Sequence, residues 1–216
     1  MQNILITGCS SGIGLQTALI LKENNIKVYA SARKEDDVKM LKNLGFETFL
    51  IDVRNKEDIT NALEVILKND LKLDAVFNNA GFGQPGAVED LSVEVLKKQF
   101  ETNFFGLHEL TIQAMKIFRT QGYGKIIQHS SVLGIISLKY RGAYNASKYA
   151  IEGINDTLRQ EVIGSNIFIS TINTGPVSSK FRENALKNFN KNIKIEGSFF
   201  EDVYAKELKA RLETTE

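Results

Sequence analysis

From residue 3 to about residue 175 the chain alternates between short runs of apolar, largely β-branched residues and longer stretches whose apolar positions recur every three or four residues. The runs cover 3–7, 27–31, 47–51, 75–78, 125–129 and 166–172, the length expected of strands buried on both faces. Helical spacing fills 15–24, 36–44, 56–68, 93–115 and 144–163. Strands that alternate with helices join by right-handed crossovers. The pattern therefore predicts an α/β fold, a doubly wound parallel sheet of six strands in the order 3-2-1-4-5-6 with helices on both faces. After Ser179 the pattern changes to two predicted helices, 181–189 and 200–212, with no seventh strand.

Glycine and proline punctuate the junctions, with Gly81, Gly83, Pro85 and Gly86 after the fourth run and Gly122 and Gly124 before the fifth, and no linker stands out. A length of 216 residues with 43% apolar residues fits one folded domain over 1–216. The 27 basic residues nearly balance the 26 acidic ones, which gives no support for a nucleic-acid or anionic-membrane partner. One cysteine, Cys9, cannot close an internal disulfide, and two histidines make no cluster of metal-ligand spacing. A metal-free site in a reducing compartment is expected. Residues 1–7 lack the form of a signal peptide, and no stretch reaches the about 20 apolar residues of a membrane helix, so a cytoplasmic protein without a membrane span is expected.

Two features carry chemistry. The first run ends in Thr7-Gly8-Cys9-Ser10-Ser11-Gly12-Ile13-Gly14 and opens a helix. Glycine there lets the backbone turn tightly against a pyrophosphate, whose charge the free N–H groups and dipole of the helix stabilise. The glycines at 8, 12 and 14 depart from the common G-x-G-x-x-G spacing. The second feature is Tyr144-x-x-x-Lys148, four residues apart and hence on one helix face. An ammonium there stabilises a phenolate and lowers the tyrosine pKa from its ordinary value of about 10, which makes Tyr144 a usable acid and base. Either feature alone has a bland reading, as a simple turn or an accidental pair; their order along the chain discriminates.

That order resembles the short-chain dehydrogenase/reductase family. Thr7, Gly8, Gly12 and Gly14 match its T-G-x-x-x-G-x-G loop, and the match continues through Asp52-Val53, Asn78-Asn79-Ala80-Gly81, Asn103 with Gly106, Ser130-Ser131, Tyr144-x-x-x-Lys148 and Thr174-Gly175-Pro176-Val177-x-Ser179. The resemblance implies a Rossmann-type fold and a catalytic tetrad of Asn103, Ser131, Tyr144 and Lys148. It implies reversible hydride transfer between a nicotinamide and a carbonyl or alcohol, with Tyr144 moving the proton, Ser131 holding the substrate oxygen, Lys148 also binding the nicotinamide ribose and Asn103 distorting its helix and anchoring a proton-relay water. Coenzyme contacts are expected from Thr7, Gly8, Ser10, Ser11, Gly12, Ile13, Gly14, Arg33, Asp52, Val53, Asn79, Ala80, Gly81, Gly175, Val177 and Ser179, with Asp52 accepting from the adenine amino group.

Ala32 stands where NAD-preferring relatives carry Asp, and Arg33 follows it as a fork for a 2′-phosphate, so the expected coenzyme is NADP(H). Loop style is most similar to the subgroup with hydroxysteroid dehydrogenases, retinol dehydrogenases and acyl-dihydroxyacetone-phosphate reductases, which implies an apolar or lipid-like substrate. A small polar alcohol dehydrogenase and a non-catalytic NADPH-binding module are the alternatives. A homo-oligomer, dimer or tetramer, built on the helices carrying Asn103 and Tyr144 is also implied. His129 is expected to be a strand-end residue, and residues 179–216 a substrate lid. Two departures stand out: Thr174 replaces the usual Pro, and the chain is shorter than is usual in the family.

Overall fold

The computed structural model describes residues 2–208 and 210. Six parallel strands, β1 (Asn3–Ile6), β2 (Lys27–Ala32), β3 (Glu47–Leu50), β4 (Ala75–Asn78), β5 (Tyr123–His129) and β6 (Asn166–Ile172), form one sheet in the order β3-β2-β1-β4-β5-β6. This is the predicted Rossmann-type sheet. Strand β1 is buried at every position because β2 and β4 flank it and helices cover both faces. The order reverses between β1 and β4, and the crevice that such a reversal opens at the carboxyl ends of the strands is where open sheets of this kind bind ligands.

Helices α1 (Gly12–Glu23), α2 (Glu35–Asn43), α3 (Lys56–Asp70), α4 (Val93–Phe100), α5 (Leu107–Gln121) and α6 (Gly142–Glu161) fill the crossovers. One core layer joins Leu5, Val76 and Ile126 to Ile59, Leu63, Leu110 and Phe118, and another joins Ile6, Ala30 and Phe77 to Ala18 and Leu41. Asn55 caps α3 by accepting from the Glu57 N–H at 2.9 Å, and Gly122 ends α5 in the left-handed region at φ 84°.

The predicted helix 93–115 is a correction. It is two helices, α4 and α5, separated by a wide π turn over Glu101–Gly106. The apolar repeat runs through the turn without a break, so periodicity could not reveal it.

The first predicted tail helix is α7 (Phe181–Asn192). The second, predicted over 200–212, is a short helix, α8 (Glu201–Val203), running into a π turn over Tyr204–Leu208; residues 209, 211 and 212 of that prediction lie outside the described residues. Ala185, Phe189, Ile193 and Tyr204 form a separate apolar cluster with Ala87. Tyr204 anchors it: its hydroxyl accepts from the Ala87 N–H at 2.7 Å and donates to Asp90, which also accepts from Ser198 Oγ at 2.7 Å.

Candidate active site

The glycine loop is shaped from below. Thr7 follows β1, and its Oγ1 accepts from the N–H groups of Asn79 and Ala80, both at 3.0 Å, tying the end of β1 to the chain leaving β4. The amide of Asn79 donates to the carbonyls of Thr7 and Gly8 at 2.9 and 3.0 Å. Gly8 lies at φ 73°, where a side chain would bring Cβ within 2.9 Å of Ala80 Cα, and a Cβ at Gly14 would lie 2.4 Å from the Gly8 carbonyl oxygen. Thr7 and Asn79 thus turn their side chains into the framework, and the Ile13 side chain packs against the core. Ser10, Ser11 and Gly12 form the partly exposed lip.

The first turn of α1 has no acidic residue and its N-cap, Ser11, makes no side-chain hydrogen bond, so the N-terminal N–H groups are left to an outside acceptor. At the end of β2, Ala32 is buried and Arg33 exposed. Asp52 pairs with Arg54 at 2.5 Å; that guanidinium, opposed by burial and assisted by Arg33, holds its carboxyl below the usual range. A cleft of about 560 Å³ opens beside Asp52 and Val53, walled by Arg54, Lys56, Glu101 and Glu109. The helix end, the glycine cradle and the exposed arginine fit the phosphates of a nicotinamide dinucleotide.

Tyr144 and Lys148 lie one turn apart on α6, with Lys148 Nζ 5.5 Å from the tyrosine ring centre. Lys148 is buried and donates to the His129 carbonyl at 2.5 Å. Burial pushes its pKa down to about 8, with Glu152 opposing. The expected lowering of Tyr144 is corrected: among the protein's own groups burial raises its pKa, with only Ser131 opposing through a hydrogen bond. Ser131 Oγ accepts from the Leu133 N–H at 3.1 Å and lies 3.3 Å from the Thr174 carbonyl. Ser130, its sequence neighbour, is fully buried, with its Oγ 2.9 Å from the position a Cβ would take on Gly134.

Asn103 sits in the π turn, buried, where its Oδ1 accepts from the Phe82 N–H and its Nδ2 donates to the Phe82 carbonyl, both at 3.0 Å. Its Nδ2 is also 3.2 Å from Ser147 Oγ on α6. The turn thereby locks Asn103 between the chain after β4 and the helix carrying Tyr144. A Cβ on Gly81 would lie 3.2 Å from Asn103 Oδ1, so Gly81 lines the same corner. Gly175 and Val177 are exposed on the loop after β6, and Ser179 returns to the glycine loop, its Cβ 3.3 Å from the position a Cβ would take on Gly12.

Residue reasoning missed three partners of this arrangement. Gln99 spans the chain after β4, accepting from the Gln84 N–H and donating to the Phe82 carbonyl, both at 2.8 Å. Phe181, first residue of α7, sets its ring against that of Tyr144. The side chain of His129 bridges Asn79 and Thr174. Cys9 in the glycine loop is buried with its thiol pushed up to about 12, which leaves it inert.

The family model described as short chain dehydrogenase matches residues 2–190. The chain is 45% identical over 184 residues to an uncharacterised oxidoreductase, YbbO, of Escherichia coli, covering 85% of this chain and 68% of that one. It is 36% identical to a 3-ketodihydrosphingosine reductase of Bacteroides thetaiotaomicron, over 85% of this chain and 66% of the relative, and 33% identical to retinol dehydrogenase 8 of Homo sapiens, over 83% and 60%. Among solved structures, a short chain dehydrogenase/reductase from Burkholderia phymatum in complex with NAD superposes with a TM-score of 0.83 at 23% identity, covering 98% of this chain and 78% of that one. ElxO with NADP bound superposes at 0.79 with 25% identity, covering 88% and 78%. With that match over most of its length, the chain belongs to the short-chain dehydrogenase/reductase family of oxidoreductases.

Proposed function

We propose that this protein is an NADP(H)-dependent enzyme that interconverts a ketone and an alcohol on an apolar, lipid-like small molecule. The observation that carries the reading is the convergence of Ser131, Tyr144 and Lys148 beside the glycine loop, with Asn103 locked behind them. Bound NADPH would supply the hydride that reaches the carbonyl carbon. The Ser131 hydroxyl orients the substrate oxygen. Tyr144, held protonated by burial, gives that oxygen its proton as the negative charge develops. The ammonium of Lys148, aimed by the His129 carbonyl, stabilises the phenolate left behind.

Preference for NADPH rests on exposed Arg33 and on Ala32, where no carboxylate repels a 2′-phosphate. Preference for an apolar substrate rests on Phe181 against Tyr144 and on Ile135, Leu138 and Val177, exposed on the loops after β5 and β6. In this reading the segment from Ser179 onward acts as the lid over the substrate. Two copies pair through α5 and α6, whose groove of about 390 Å³ is lined by Ile112, Met115, Ile154 and Leu158. The setting is cytoplasmic, and among the described residues no helix is long and apolar enough to cross a membrane.

The test follows reduced-nicotinamide absorbance across ketones of graded chain length. Turnover with long-chain or fused-ring ketones is expected, and Tyr144→Phe should lower it by at least ~100-fold while NADPH still binds. Wild-type turnover in that variant, or turnover with NADH alone, would overturn the reading.

A further inference from the structure

The mechanism above uses only the backbone carbonyl of His129, yet its imidazole joins three strand ends of the site. Its Nδ1 lies 2.9 Å from Asn79 Oδ1, and its Nε2 lies 2.9 Å from Thr174 Oγ1. Asn79 follows β4, His129 ends β5 and Thr174 follows β6.

The proton arrangement follows from the partners. The carbonyls of Thr7 and Gly8 only accept, so the nitrogen of the Asn79 amide must face them and its Oδ1 must face the imidazole. Nδ1 of His129 therefore carries the hydrogen and donates to Asn79. A neutral ring then leaves Nε2 bare, to accept from the Thr174 hydroxyl. Burial, with the Lys148 ammonium adding, pushes the histidine pKa down to about 4 and keeps the ring neutral.

Thr174 is the anchored start of the loop after β6. Its carbonyl accepts from the Val132 N–H at 3.1 Å and from Ser131 Oγ at 3.3 Å, whereas residues 175–178 beyond it are exposed and have no regular structure. Proline, with its ring-locked φ, would stiffen this position through the backbone. Threonine lacks that restriction, and its hydroxyl is held instead.

We propose that His129 is a positioning residue: as a neutral Nδ1–H imidazole it links the glycine loop, through Asn79, to Thr174, and so sets the place of Ser131 and of the loop at 175–179. This rests on the oxidoreductase reading for its kinetic consequence but not for the bridge itself. His129 touches neither reacting atom; it acts through Thr174 and Asn79.

Two measurements test it. Nitrogen NMR of imidazole-labelled full-length protein, without coenzyme or substrate, should show His129 protonated at Nδ1 and bare at Nε2 across about pH 6 to 8. A charged ring or the Nε2–H tautomer in that range overturns the bridge. In kinetics, Thr174→Val keeps the shape but removes the donor, and kcat should fall about tenfold or more, as for a small misplacement of reacting groups. KM for the ketone should stay within about twofold, and Thr174→Ser should restore kcat to within about twofold. His129→Asn keeps a donor towards Asn79 but loses the acceptor for Thr174, so it should show the same fall, and the double variant should add none. Undiminished kcat in Thr174→Val, or an equal loss in Thr174→Ser, overturns the proposal. Because NMR needs no turnover, inactivity towards every ketone sinks the oxidoreductase reading while the ring's tautomer still decides the bridge.

Discussion

The ring of Phe181 meets that of Tyr144 edge-on, with centroids 5.5 Å apart and planes inclined at 66°. Phe181 also fits against Gly83, where a Cβ would come within 2.9 Å of its Cζ. The first residue of the tail helix is thus held between the chain after β4 and the proposed proton donor. An aromatic contact of this type contributes about 0.5–1.5 kcal/mol, so Phe181→Ala should lower kcat/KM for an apolar ketone by roughly two- to tenfold with NADPH affinity unchanged. Steady-state kinetics on a ketone series checks this. A rise in kcat/KM would mean that Phe181 obstructs the substrate.

Ketone reduction should lose efficiency in alkali. Burial raises the Tyr144 pKa, so its proton is in place at neutral pH, and the group that titrates first is Lys148, pushed down to about 8. Below that value the ammonium is present to stabilise the phenolate, and above it the charge is lost. The kcat/KM profile should therefore be level near neutrality and decline as pH rises through about 8. Lys148→Met should be slow at every pH and lack this decline, whereas a wild-type profile level to about pH 9 would contradict the assignment.

Coenzyme discrimination should follow Arg33. If its fork pairs with the 2′-phosphate, Arg33→Ala should weaken NADPH binding by about 1.5–3 kcal/mol, the range for hydrogen bonds to charged groups, and leave NADH little affected. Ala32→Asp should shift preference further towards NADH by placing a carboxylate where the phosphate would sit. Coenzyme titrations by fluorescence quenching check both, and equal losses for the two coenzymes would rule the contact out.

Far from the site, Asp70 at the end of α3 ties the amino ends of the strands together. It accepts from Lys27 Nζ at 2.7 Å, Tyr29 OH at 2.9 Å and Asn3 Nδ2 at 3.0 Å. Burial raises its pKa, but Lys27, Tyr29 and Asn3 outweigh it and hold the carboxyl below the usual range. Its stabilisation is therefore present above the ordinary carboxylate pKa and lost as pH falls through the lowered value. Asp70→Asn should cost roughly 1–3 kcal/mol in urea unfolding at neutral pH while leaving NADPH binding intact. An unchanged midpoint would refute the role.

The strands were legible because each is a short, largely apolar run between helically spaced stretches, and the order of Gly8, Asp52, Asn79 and Ser131 along the chain placed their motifs at strand ends, with Tyr144 at the start of the helix after β5. The π turn was not legible in the periodicity; only the family resemblance, through Asn103, implied a distortion of that helix. Its apolar spacing continues that of α4 and α5, and what holds Asn103 there is the backbone of Phe82, 21 positions earlier. The tail was half legible: the spacing of α7 showed, while the seat of Tyr204 depends on Ala87 and Asp90, more than a hundred positions away.

By itself the sequence determined the alternation of strands and helices, the parallel sheet order and the residue types that could do the chemistry, because these depend on local periodicity and on motifs only a few residues long. Only the tertiary structure decided how those residues are held. It turned Thr7 and Asn79 inward as framework, raised Tyr144 by burial, pulled Lys148 onto the His129 carbonyl and spanned three strand ends with one imidazole. Desolvation and hydrogen bonding between residues 45 to 50 positions apart depend on how side chains at neighbouring strand ends pack and orient, and that packing exists only once the sheet has formed.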